Sequence, residues 1–136
     1  MHRTVSLAGR CPDCGSAVEV RHTQAFYGEK LSCSWAVHCP ACMYRVTGDG
    51  PESPEEARRA FLDRDGEFAL LRGPGAVAGV LARAMSHALG GSLSDALKAA
   101  RSEGSLWSGT EPEVLAKRRA LERDGAVGLE VLRVEK

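Results

Sequence analysis

The chain has 136 residues and a mass of 14.5 kDa, room for one domain or two very small ones. Lys plus Arg and Asp plus Glu both number 18, so the formal net charge is zero, whereas a protein built mainly to hold a nucleic-acid backbone or an anionic membrane carries a strong basic excess. No apolar run approaches the ~20 residues that span a bilayer, and the first residues lack the apolar core of a signal peptide, so a cytoplasmic protein is expected.

Along the chain, Ala17 to His22 alternates and predicts a strand. A turn follows within Phe26–Lys30. Leu31 to His38 predicts a second strand, with Leu31, Cys33, Trp35 and Val37 on one face. Tyr44 to Thr47 predicts a third, closed by Gly48-Asp49-Gly50-Pro51. Ser53-Pro54-Glu55-Glu56 has the pattern of a capping box with proline at the first helical position. Its helix runs to about Arg64, with Ala57, Ala60 and Phe61 inward. Phe68 to Leu71 predicts a short strand, and Val77, Val80, Leu81, Ala84, Met85 and Ala88 follow helical spacing. Gly90-Gly91 ends that helix, and Ser92-Leu93-Ser94-Asp95 starts a shorter one to about Arg101. Thr110-Glu111-Pro112-Glu113 is a second capping box, whose helix ends at Asp124-Gly125. Val127 to Val131 alternates as a last strand. The expected organisation is α+β. It comprises an N-terminal module over 1–50, a connecting helix over 51–66, and a strand-helix-helix-helix-strand domain over 67–136.

All five cysteines fall between Cys11 and Cys42. Cys11-Pro12-Asp13-Cys14 and Cys39-Pro40-Ala41-Cys42 are two C-x2-C pairs separated by 24 residues. Each pair fits a tight turn that aims both sulfurs at one ion, and the strands between them bring the turns together. Four thiolates complete a tetrahedron around zinc and leave no open position. The spacing therefore predicts a zinc ribbon with Cys11, Cys14, Cys39 and Cys42 as ligands of one structural ion. That ion would stand in for the core so short a module cannot build. A dithiol redox pair and a rubredoxin-type iron site are the competing readings. Cys33 is left over. It reads as a small buried residue beside Trp35, the alternative being a reactive thiol.

The run from Cys11 to Phe61 resembles the small zinc ribbons of the restriction-alleviation (Lar) type. The resemblance is carried by Cys-Pro-x-Cys-Gly, Trp35-Ala36-Val37-x-Cys39-x-x-Cys42 and Glu55-Glu56-Ala57. Met43 stands where a second knuckle usually has glycine. Residues 67–134 resemble the C-terminal domain of the bacterial ribosomal stalk protein (L-seven/L-twelve). This second likeness is carried by Gly73-Pro74-Gly75-Ala76, the helix to Leu89, Gly90-Gly91-Ser92-Leu93-Ser94-Asp95-Ala96, Gly104 to Gly109 and Asp124-Gly125-Ala126-Val127. It implies a small α/β sandwich whose first two helices contact translational GTPases through basic residues. Here those helices offer Arg83 and Lys98.

From the residues alone, Val77, Val80, Leu81, Met85, Val114, Leu115 and Leu121 are expected in the core. Lys117-Arg118-Arg119 is expected to be a solvated face. Trp107, in the loop Gly104–Gly109, is the candidate aromatic anchor for a partner or else a lid on the core. There is no P-loop, no dinucleotide fingerprint and no local signature of a catalytic triad. The expected function is a non-enzymatic adaptor that binds a protein partner, associated with the ribosome or a translation factor. The alternative is a nucleic-acid-binding regulatory ribbon using Arg21, His22, Lys30, Trp35 and Arg45, which the zero net charge disfavours.

Overall fold

The structure, a computed structural model, describes residues 1–102 and 104–135. It divides into two compact units, Met1–Asp65 and Gly66–Lys136. With antiparallel sheets and four helices, the fold class is α+β. Among the described residues no helix is long and apolar enough to cross a membrane.

The first unit is a four-stranded antiparallel meander, ordered β1 (His2–Arg10), β2 (Ala17–Tyr27), β3 (Lys30–His38), β4 (Arg45–Gly50). Strand β1 adds to the three strands expected, and Thr4-Val5-Ser6-Leu7 within it alternates. It pairs along its whole length with β2, from His2 opposite Ala25 to Arg10 opposite Ala17. That pairing draws β2 out to Tyr27, five residues beyond the expected end. Gly28 and Glu29 then close a two-residue hairpin between Tyr27 and Lys30. Leu31, Cys33, Trp35 and Val37 do share one face, opposite Phe26, Gln24, His22 and Val20.

Helix α1 (Glu55–Asp65) lies in this unit and packs on β1. Ala57 and Phe61 are buried with Val5, and Ala60 and Leu7 flank them. Arg64 donates from its guanidinium to the Thr4 carbonyl. Fully buried Gln24 donates from its side-chain amide to the Ser53 hydroxyl at 3.1 Å, tying the segment before the helix to the sheet. A helix that reads as a connector by position thus carries part of the first unit's core.

The second unit runs β5 (Phe68–Arg72), α2 (Ala78–Leu89), α3 (Leu93–Arg101), β6 (Trp107–Gly109), α4 (Glu111–Arg123), β7 (Leu129–Arg133). Its sheet has the order β6-β5-β7, antiparallel throughout. The strand-helix-helix-helix-strand order expected from sequence lacks β6. Trp107-Ser108-Gly109 is too short to show alternation, and it becomes a strand by pairing with β5. The last strand begins two residues later than expected. Gly128 has φ 73°, and a Cβ there would sit 2.6 Å from the Ala76 nitrogen. Its carbonyl accepts from Gly73 N–H at 2.7 Å, so the chain bends at Gly128 before the strand begins.

The starts of α3 and α4 follow the sequence, whereas the Ser53 hydroxyl before α1 accepts from Gln24. Thr110 accepts from Glu113 N–H at 3.4 Å, and Glu113 accepts in return from Thr110 N–H at 2.9 Å, the reciprocal capping box. The Ser92 hydroxyl accepts from Asp95 N–H at 3.0 Å.

The core gathers Leu70, Leu81, Met85, Val114, Leu121 and Leu129 with Ala82, Ala84, Ala96 and Ala100. Leu115 is half-buried. Val77 and Val80, expected inside, are 60% and 41% exposed. Val77 is the extended N-cap of α2 (φ −98°, ψ 122°) and precedes the helical face. Val80 sits about 100° around the helix from Leu81, on the side away from Ala82. Ala84 is buried as its spacing predicts, and small Ala82 joins it inside, in one core with Ala96 and Ala100 of α3.

The end of α2 is fastened to the end of α4 by His87 Nδ1, 3.0 Å from Asp124 Oδ1. The hydrogen bond from Asp124, with its negative charge, raises the imidazole pKa above the ordinary histidine value. A folded pKa above the unfolded one means the pair stabilises fully below the unfolded value and loses that contribution as pH rises through the raised one. A proton NMR titration is expected to place the His87 midpoint above the ordinary range, and Asp124→Asn to return it. An unshifted midpoint in the unaltered protein would show that the pair does not form in solution.

Candidate metal centre

The two C-x2-C turns have the same backbone wiring. Cys11 N–H donates to the Ser16 carbonyl at 2.8 Å, and Gly15 N–H to the Cys11 carbonyl at 2.9 Å. In the second turn, Cys39 N–H donates to the Tyr44 carbonyl at 2.8 Å, and Met43 N–H to the Cys39 carbonyl at 2.8 Å. The first turn joins β1 to β2 and the second joins β3 to β4. In the meander, Gly9 pairs with Val18 on one side and His38 with Arg45 on the other. Both turns therefore emerge at the same end of the sheet.

The wiring requires a left-handed residue at the fifth position of each turn. Gly15 meets it at φ 76°, and Met43 at φ 67°. Met43 is the one non-glycine with positive φ among the described residues, and its side chain is 67% exposed. A left-handed side chain costs roughly 1–2 kcal/mol, part of which the extra unfolded freedom of glycine offsets. Met43→Gly is expected to stabilise the first unit by about 0.5 kcal/mol, and Gly15→Ala to destabilise it by about 1 kcal/mol. Denaturant unfolding of the metal-loaded protein reads both. Equal signs for the two changes would refute the equivalence of the turns.

Four sulfurs converge between the turns, all within 4.8 Å of one another. Cys11 and Cys42 Sγ are 3.6 Å apart, as are Cys14 and Cys39 Sγ. These distances are far too long for a disulfide. They match the ~3.8 Å edge of a tetrahedron whose corners lie ~2.3 Å from a central ion. Cys11 and Cys39 are buried, beside Val18 and Val37. Asp13 N–H donates to Cys11 Sγ at 3.4 Å, a backbone donor suited to a thiolate. The four residues can hold one metal ion, and four thiolates leave a tetrahedral ion no open position.

The electrostatics of the cluster favour a cation. The Ser16 hydroxyl, 3.2 Å from Cys14 Sγ, and the Ser16 backbone N–H lower the Cys14 pKa to about 6. At Cys42 a Tyr44 backbone N–H also lowers the pKa. Burial and the neighbouring thiols of Cys14, Cys11 and Cys39 outweigh it and raise the value to about 12. Once one thiol is ionised, the next must place a second negative charge beside it. A divalent cation at the centre removes that conflict and draws all four protons off.

The remaining candidates are dispersed. Cys33 is buried, with Sγ 3.8 Å from the Pro51 carbonyl. His22 is buried across from Trp35. Burial lowers its pKa, against the opposing charge of Glu56, so the ring is neutral at pH 7. Trp35 rests against Gly48 on the same face. His38 points to the other side of the sheet and is exposed. The five residues Arg21, His22, Lys30, Trp35 and Arg45 therefore do not form one surface. Strand parity puts His22 and Trp35 on one face and Arg21, Lys30 and Arg45 on the other.

Arg83 and Lys98 are exposed on α2 and α3. Trp107 is only half-exposed. It packs against the core in register with Leu70, and Lys117 Nζ lies 5.4 Å from its ring centroid. The ring thus lies partly on the core and makes a cation–π contact with Lys117. Arg118 Nε sits 3.4 Å from Glu122 Oε1. The basic run on α4 is thus partly engaged within its own unit.

No family model, no curated protein and no solved structure matches this chain.

Proposed function

We propose that the chain is a non-enzymatic adaptor, with a zinc ribbon in its first unit and a stalk-like protein-binding domain in its second. Zinc is the preferred ion because four thiolates at tetrahedral spacing suit it. The ion serves as a structural clamp, and the ligand set leaves it no room to act on a substrate.

The observation that carries the adaptor reading is the outward surface of α2 and α3. Val77 and Val80 stand out of the core at the start of α2, and Leu89 and Leu93 stand out around the α2–α3 turn. Arg83 and Lys98 are exposed on the same two helices. Apolar side chains with basic neighbours suit a partner surface that is apolar and acidic. A translational GTPase is the partner class that the stalk resemblance implies. The test is an NMR titration of the full chain with purified translational GTPases. Shifts confined to Val77, Val80, Arg83, Leu93 and Lys98, and abolished by Val80→Asp, support the reading. Saturating GTPase without such shifts refutes it.

A further inference from the structure

The uncovered face of the first sheet has a composition that its sequence hides. Register and parity place the side chains in rows across the strands. One row reads Ala8, Glu19, His38, Arg45. The next reads Ser6, Arg21, Ala36, Thr47, and the one after it Thr4, Thr23, Ser34, Asp49. Arg10 flanks the first row, and Tyr27 with Lys30 ends the face at the hairpin. Helix α1 and the apolar side chains Val5, Val18, Val37 and Phe61 all belong to the opposite face or its end.

Three features of this face point to one kind of ligand. First, the charge is sorted. Arg10, Arg21, Lys30 and Arg45 lie here with only Glu19 and Asp49, in a chain whose net charge is zero. Second, the middle of the face is concave. Two clefts of about 420 and 360 Å³ share Arg21, Ala36 and Thr47, so they form one trough over β2, β3 and β4. The trough is lined by Thr23, Ser34, Ala36 and Thr47, with Arg21 shared by both clefts, Arg45 and His38 beside Glu19 at one end, and Asp49 at the other. Third, the far end carries an aromatic ring. Tyr27 is 61% exposed, and its hydroxyl is braced by His2 Nδ1 at 3.1 Å.

Guanidinium and hydroxyl donors are the groups that hold phosphodiesters, and an exposed tyrosine is a stacking surface for a base. From Glu19 to Tyr27 the strand advances about 26 Å, the length of several nucleotides of extended single strand. A protein ligand fits less well, since the trough offers no apolar anchor pocket. We propose that this face binds single-stranded nucleic acid. Arg21 and Arg45 take phosphates in the trough, Lys30 takes one at the hairpin, and Tyr27 stacks a base. This surface is on the first unit and is independent of the α2–α3 surface on the second.

The test is fluorescence anisotropy of a labelled short oligothymidylate with the full zinc-loaded chain, starting at about 20 mM salt. Expected is binding whose logarithm falls linearly with the logarithm of salt concentration. Arg21→Ala with Arg45→Ala should weaken it about tenfold or more and make the slope shallower by about 1.4, two phosphates at ~0.7 each. Tyr27→Ala should weaken it about fivefold or more with the slope unchanged, because stacking releases no counterion. Arg59→Ala, a charge-matched change on exposed α1, should leave affinity unchanged. Zinc content and circular dichroism verify that each variant is folded. The proposal is overturned by no binding at low salt, or by binding indifferent to Arg21 and Arg45. Equal affinity for heparin or a phosphopeptide with no effect of Tyr27→Ala overturns it as well, since that marks a general polyanion surface.

Discussion

Removing the metal with a chelator, or replacing its most buried ligand by Cys39→Ser, is expected to unfold Met1–Asp65 and leave the second unit folded. The four sulfurs sit within 4.8 Å of one another, and the apolar residues buried around them are few, chiefly Val18 and Val37. Structural zinc sites of this kind contribute about 10–16 kcal/mol to folding. Whole small domains are stable by only about 5–15 kcal/mol, so loss of the ion exceeds what the sheet can absorb. The second unit has its own core of Leu70, Leu81, Val114 and Leu121 and no cysteine. Amide hydrogen exchange separates the two cases residue by residue. Protection should vanish in β1 to β4 and persist in α2, α4 and β5. Retained protection across β2 and β3 in the metal-free protein would show that the sheet stands without its clamp. Metal analysis of protein purified without added metal gives the identity of the ion. Less than one zinc per chain, or a red iron chromophore, would sink the zinc assignment.

Phe61→Ala is expected to destabilise the first unit by about 3–5 kcal/mol. Phe61 is 1% exposed and packs with Val5, Leu7, Ala57 and Ala60. This cluster lies apart from the one around the metal, which Val18, Val37, Cys11 and Cys39 form. Loss of the ring leaves a cavity that neither β1 nor α1 can close without abandoning their pairing. The chain has two tryptophans, so a Trp107→Phe background leaves Trp35 as the indole reporter for the first unit. Unfolding of the metal-loaded protein followed at Trp35 then reads the cost directly. A change of less than about 1 kcal/mol would mean that α1 is a bridge resting on the sheet, and that the core of the first unit ends at the metal.

The case of α1 shows where sequence legibility stopped. Its start and its inward residues Ala57, Ala60 and Phe61 were readable from the Ser-Pro-Glu-Glu pattern and helical spacing. What they face is not, because their partner surface comes from β1. Val5 and Leu7 are short-range evidence for a strand, and only pairing with β2 turns them into a surface for Phe61. Trp107 is similar. Its half-buried setting depends on pairing with Leu70 and on the approach of Lys117 from α4, neither of them a sequence neighbour.

The sequence by itself determined the α+β class, most helix boundaries and the four residues of the metal cluster. Those features rest on local chemistry: capping side chains, the 3.6-residue period, and the tight turn that C-x2-C permits. The zero net charge was also plain, and it argued against a nucleic-acid partner. The tertiary structure decided how that charge is distributed. Strand alternation and pairing register carry Arg10, Arg21, Lys30 and Arg45 to one face and leave only Glu19 and Asp49 beside them. A sum over the chain has no memory of sides, whereas a sheet assigns every second residue to one of two surfaces.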